Sequence, residues 1–229
     1  MLYALATPVA LVGLLLGFLA GVVTHGCVQA SLAAVLGDRG PAAQGRRRLD
    51  PRAQIDPFGA VAAALAGVGF GKPVPLDRRR LGSRARFVVV LLSGGLANLL
   101  LGLAAVVGFL LLGGPGQVLA GSSPLSALHG FKGLPVGQTL LLAFGISNVA
   151  LAILSVVPLP PLDGARVMFA FAPRTSGWQR AEYLLVEQNV GLVAVLVLLV
   201  LPLAGQLPLL LVLLNLVVAP LLTLFSGLG

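Results

Sequence analysis

Hydrophobic positions in this chain fall into long uninterrupted runs, divided by short stretches that hold nearly all of the charge. Residues 2–36 are almost uncharged. A membrane span needs about 20 residues at ~1.5 Å rise each. A run this long exceeds one straight crossing, and predicts a crossing helix that continues into a protein-lined or interfacial section. Residues 58–71 are apolar and small, and would make a helix of about 21 Å, short of the ~30 Å hydrocarbon core. Residues 87–112 and 138–158 read as full spans. Two further apolar runs, 189–204 and 207–226, are separated into a hairpin by Pro202, Gly205 and Pro208. The pattern predicts an all-α polytopic membrane protein with about five to six transmembrane helices plus a short re-entrant or shallow helical segment. Residues 1–229 read as one transmembrane domain, with no tandem repeat. The first apolar run starts at Leu2 without a basic leader, so no cleavable signal is expected.

The polar stretches set the topology. Loop 37–57 carries Arg39, Arg46, Arg47, Arg48 and Arg52 with Asp38, Asp50 and Asp56. Loop 72–86 carries Lys72, Arg78, Arg79, Arg80, Arg84 and Arg86 against Asp77, and segment 163–188 carries Arg166, Arg174 and Arg180. Loop 113–137 is rich in Gly, Pro and Ser, with only Lys132 and His129, a solvated loop histidine. By the positive-inside rule the first three are cytoplasmic and 113–137 is outside. Composition agrees: 58% of residues are hydrophobic, 10% are charged and mean hydropathy is +1.03. These values place the chain in a cell membrane as a multi-pass protein, with the bilayer as its first partner. The net charge of +8 reports topology. Nucleic acid is excluded as a partner, because the basic loops lack interleaved aromatics. A single cysteine, Cys27, rules out an internal disulfide.

One stretch stands apart, Ser155 to Gly164, S-V-V-P-L-P-P-L-D-G. Three prolines break the end of a membrane-length run, and Asp163 follows. Charged groups at that depth are expensive and usually functional, and irregular backbone there lines protein or a wet cavity. The alternative is that Asp163 caps the next helix. The topology brings His25, near the cytoplasmic end of the first span, to the same depth and side as Asp163, which favours a shared site. Asn98 lies inside a span beside the small residues Ser93, Gly94, Gly95 and Ala97, and reads first as an interhelical hydrogen bond.

These residues, taken with others, carry a resemblance. Asn148 to Gly164 (N-V-A-L-A-I-L-S-V-V-P-L-P-P-L-D-G) resembles the second signature of the site-2 protease family of intramembrane zinc metalloproteases, which ends in L-D-G. Gly37-Asp38, Ile55-Asp56-Pro57-Phe58-Gly59, Lys72-Pro73-Val74-Pro75 and Leu92 to Asn98 (L-S-G-G-L-A-N, with Gly95 for a proline) resemble further family segments, in the same order. The resemblance spans most of the chain, in the compact form without an added regulatory domain.

The family's first signature is H-E-x-x-H. Its histidines, one helical turn apart, bind zinc, its Glu is the general base on the zinc-bound water, and the L-D-G aspartate is the third protein ligand. The aligned residues here are His25-Gly26-Cys27-Val28-Gln29. Carried over by position, His25 and Asp163 are metal ligands and Gln29 stands at the second histidine position. Gly26 occupies the general-base position, leaving no catalytic residue. Ser155 replaces the family's Asn, and Asn98, Asn148 and Ser155 are candidate polar residues of the cleft. An amide oxygen is a poor zinc ligand, and Cys27 at i+2 points off the His25 face. Glu182 and Glu187, at the start of a later helix, offer no obvious replacement base. Losing a general base lowers rate by about 10²–10⁴. The expected function is a catalytically degenerate homologue that binds a transmembrane partner in the old substrate cleft, with no cofactor. The alternative is an active zinc-dependent intramembrane endopeptidase, cleaving membrane-anchored substrates near the cytoplasmic face. A transporter or channel lacks paired inverted halves and a chain of intramembrane charges.

Overall fold

The computed structural model describes residues 7–201 and 208–228. Among these residues the fold is helical, without a strand; one antiparallel bridge joins Ile55 to Gly71. Helix α1, Pro8–Val35, begins with proline in its first turn, where no backbone donor is needed. It runs unbroken for 28 residues, about 42 Å, so its end stands beyond a ~30 Å core. Helix α2, Pro57–Ala66, is capped by Asp56, whose carboxylate accepts from the amides of Phe58 and Gly59, and it closes on Gly67 at φ 74°. The chain then returns extended and bridges back to Ile55, so 55–71 forms the short hairpin that its length predicts. Helix α3, Arg84–Leu111, starts at the Ser83 cap. Helix α4, Val136–Ser155, is the innermost, with Leu142, Ala143, Ile146, Val149 and Ala150 fully buried. A proline-broken turn leads to α5, Asp163–Phe171, and then to α6, Ser176–Glu182, extended by a π-helical turn, Tyr183–Glu187. Helices α7, Val190–Val200, and α8, Leu209–Thr223, complete the described fold.

Fewer helices cross than the apolar runs suggest. Among the described residues three are long and apolar enough to cross, α1, α3 and α4, or four if Ser176–Glu187 and α7, bent by 64°, are one broken span. This corrects the expected five to six, and the reason is length. Helix α7 has 11 residues and α8 has 15, about 16 and 22 Å against a ~30 Å core. Pro202 and Gly205, read as the hairpin between them, lie outside the described residues, as do residues 2–6 of the first run.

The core is a three-helix packing of α1, α3 and α4. On α1, Gly13, Gly17 and Gly21 share one face at four-residue spacing. A Cβ at Gly13 or Gly17 would stand 2.8 Å from Ala143 Cβ or 2.7 Å from Ser147 Cβ on α4. Small residues let apolar helices approach where no hydrophobic force joins them in lipid. The outward faces carry exposed Leu16, Leu96, Leu100 and Leu216, as lipid-facing surfaces do. Asp38 is fully buried and ties the two basic loops together. Its oxygens accept from the amides of Gly40 at 3.0 Å and Asp77 at 2.7 Å, and Arg80 lies 3.7 Å away.

Candidate functional site

Three elements converge on Asp163. From α1, His25 and Gln29 share a face one turn apart. From α3 comes Gly94, packed so closely on the His25 ring that a Cβ there would lie 2.5 Å from it. The third is the start of α5, placed by the turn after Ser155. Gly164 lets this turn close, because a Cβ would stand 2.1 Å from the Val156 carbonyl oxygen. The glycine of L-D-G is thus required by close backbone approach.

His25 Nε2 donates to Asp163 Oδ2 at 2.7 Å, across 138 positions of sequence. The expected proximity is present, as direct contact. Gln29 Nε2 donates to the same oxygen at 2.7 Å and to the Leu91 carbonyl at 2.8 Å. Both acceptors require the amide nitrogen there, which fixes the orientation of the carboxamide. Asn98 Nδ2 donates to His25 Nδ1 at 3.3 Å, so it is both an interhelical bond and a site residue. Arg166, three residues after Asp163, approaches Oδ1 at 3.4 Å and lies over the Phe87 ring at 5.7 Å. Asp163 is the first residue of α5, beyond the spanning helices. Burial raises its pKa, but hydrogen bonding and charge from His25, the Arg166 charge and the Gln29 hydrogen bond outweigh this and hold it below the usual carboxylate range. The helix-capping alternative for Asp163 is not what the fold uses; no side chain caps α5.

Gly26 faces an occupant that sequence reasoning missed. A Cβ there would fall 2.0 Å from Gln54 Oε1. Gln54 is 1% exposed and its Nε2 donates to the Arg46 carbonyl at 2.7 Å. Its Oε1 has no hydrogen-bond partner. Arg46, itself buried, donates to the carbonyls of Ala53 and Lys72, pinning the loop that carries Gln54. Nothing in the spacing of Gln54 marks it, whereas Arg166 at i+3 from Asp163 was readable by helix geometry.

The remaining sequence candidates distribute unevenly. Ser155 lines the same narrow cleft, of about 40 Å³, as His25, Gly26, Gln29, Asn98 and Asp163, and its hydroxyl donates to the Ala152 carbonyl at 2.7 Å. Asn148 lies apart from the cleft and donates to Gly17 and Phe144 carbonyls, fastening α4 to α1. Cys27 Sγ donates to the Arg48 carbonyl at 3.1 Å, off the His25 face as expected. Glu182 closes α6 and Glu187 ends the π turn, later in their helix than their sequence position suggests; neither lines the cleft.

The donor set does not fit a zinc ion. Among the described residues no three His, Cys, Asp or Glu side chains form a group that could hold one. Two tetrahedral ligands at ~2 Å from zinc stand ~3.3 Å apart, whereas His25 and Asp163 meet at 2.7 Å with a proton between them. The third corner is an amide nitrogen with both protons donated.

No family model matches the chain, and no solved structure matches it. Among curated proteins it is 32% identical over 186 residues to the "Putative zinc metalloprotease YwhC" of Bacillus subtilis (strain 168), covering 79% of this chain and 77% of that protein.

Proposed function

The chain belongs to the family of that Bacillus subtilis metalloprotease, and from this premise we propose that it is a site-2-protease-like membrane protein whose catalytic centre has become a hydrogen-bonded clasp. One observation carries the reading: Gln29 closes the site, donating one amide proton to Asp163 and the other to α3. In this reading His25, Gln29 and Asp163 hold α1, α3 and α5 together without metal. With glycine at position 26, no side chain there activates water. The remaining role is binding. The cleft, of about 40 Å³ with Val22, Leu151 and Leu154 beside Lys72, would take a single apolar side chain from a helix of another membrane protein packed outside it, not the helix itself. The family's activity, cleavage of membrane-anchored substrates at a metal centre, is the competing reading.

The test is metal content together with turnover. Protein purified in detergent and dialysed against a mild chelator is expected to retain no stoichiometric zinc and to leave a membrane-anchored reporter uncut. About one zinc per chain, lost on Asp163→Ala, would overturn the proposal and restore the endopeptidase.

A further inference from the structure

A second cavity, of about 540 Å³, lies beside the clasp between α5 and the bent α6–α7 segment. Its apolar wall includes Phe87 of α3, Phe169 of α5, Leu185 of the π turn and Leu192 of α7, and the guanidinium-bearing Arg78 and Arg166 also line it. Arg78 is exposed and its side chain has no ion-pair or hydrogen-bond partner among the described residues. Arg166 makes one long bond to Asp163 and has further donors to offer. One carboxylate, Glu182, faces the same space. The volume is that of a small-molecule site.

The segment beside this cavity has a distinct composition. Trp178, Tyr183, Leu184 and Val186 are exposed on Ser176–Glu187, with Phe171 just before it. Arg174 and Arg180 flank them, and Arg84 lies 5.3 Å over the Phe171 ring. Aromatics with arginines on a short helix are the composition of an element lying in the headgroup layer. The 64° bend turns that element away from α7. An adjoining segment of aromatics and arginines, two guanidiniums against one carboxylate and an apolar interior together match one chemistry.

We propose that this cavity binds an anionic phospholipid, its acyl chain along Phe87 and Phe169 and its phosphate at Arg78 and Arg166. The site adjoins the clasp, to which it is joined by the bond from Arg166 to Asp163, while Arg78 belongs to it alone.

Trp178 is the only tryptophan in the chain, and it meets Phe169 of the cavity wall edge-to-face at 6.3 Å. Its fluorescence therefore reports occupancy. The protein is reconstituted in phosphatidylcholine bilayers containing a trace of chain-brominated phosphatidylglycerol or, separately, of brominated phosphatidylcholine. Phosphatidylglycerol is expected to quench beyond the statistical level set by phosphatidylcholine. Arg78→Gln should lower that excess by about fivefold, the typical worth of one basic side chain at a lipid surface. Arg47→Gln, which removes the same charge from a position outside the cavity, should leave the excess in place. Equal quenching by the two lipids, an equal loss in both variants, or quenching by neither would each overturn the proposal.

Discussion

Gly26 and Gln54 have to be understood together. Alanine normally stabilises a helix interior over glycine by about 1 kcal/mol. At position 26 the added methyl would meet Gln54 Oε1, and the amide could withdraw only by giving up its bond to the Arg46 carbonyl. Gly26→Ala should therefore destabilise by about 1–2 kcal/mol, and in a Gln54→Ala background the sign should reverse. Unfolding of the four proteins in detergent closes the cycle, and additive effects would show that the two positions are independent. Metal binding should follow the same pair. Gln29→His with Gly26→Glu restores the signature residues but crowds Gln54, so it should hold clearly less than one zinc per chain. Adding Gln54→Ala should raise the content to about one, with three protein ligands and an open position.

Packing between elements rests on small residues. Gly17 sits where α1 touches α4, and a methyl group added there would lie 2.7 Å from Ser147 Cβ and 2.8 Å from the Phe144 carbonyl oxygen. Gly17→Val should destabilise by about 1–3 kcal/mol, read as a lower unfolding midpoint in detergent; an unchanged midpoint would mean that the seam is not tight. The clasp between α1, α3 and α5 adds a pH dependence. The Asp163 pKa is depressed in the fold, so its contribution is fully present above the unfolded value of about 3.9 and is lost as pH falls through the folded value. Stability should thus hold from about pH 7 down to about 5 and fall below about 4, and Asp163→Asn should flatten that fall. Much at this scale was legible. The apolar runs mark the three long helices, and shared depth brought His25 to Asp163. The stripe Gly13, Gly17, Gly21 was equally readable by spacing, yet sequence reasoning read small residues as a helix-packing face only on α3. Gln54 was not readable: its contact with Gly26 depends on how the loop folds back, which no local period encodes.

For the whole molecule the informative quantity is where charge lies. Fourteen of the fifteen Lys and Arg residues lie in 37–57, 72–86 and 163–188, and the buried Asp38 joins the first two of these at the base of α1. Single cysteines introduced on a Cys27-free background at 78–80 and 120–125 should label from opposite faces of sealed vesicles. Labelling of both from one face would refute the orientation. The number of crossings was the least legible property, because hydropathy measures how apolar a run is and not whether its helix is broken. Residues 189–204 are as oily as a span, but the helix within them is 11 residues long and its neighbour turns away from it.

The occupied space at position 26 also sets an order of events. With glutamine at 54, placing an acid at 26 in one step passes through a less stable protein. Shortening residue 54 first is neutral to that acid but forfeits a buried amide that now helps to hold the loop. The filled wall therefore imposes an order: an acid at 26 needs two changes, residue 54 first, and that first change brings no benefit of its own.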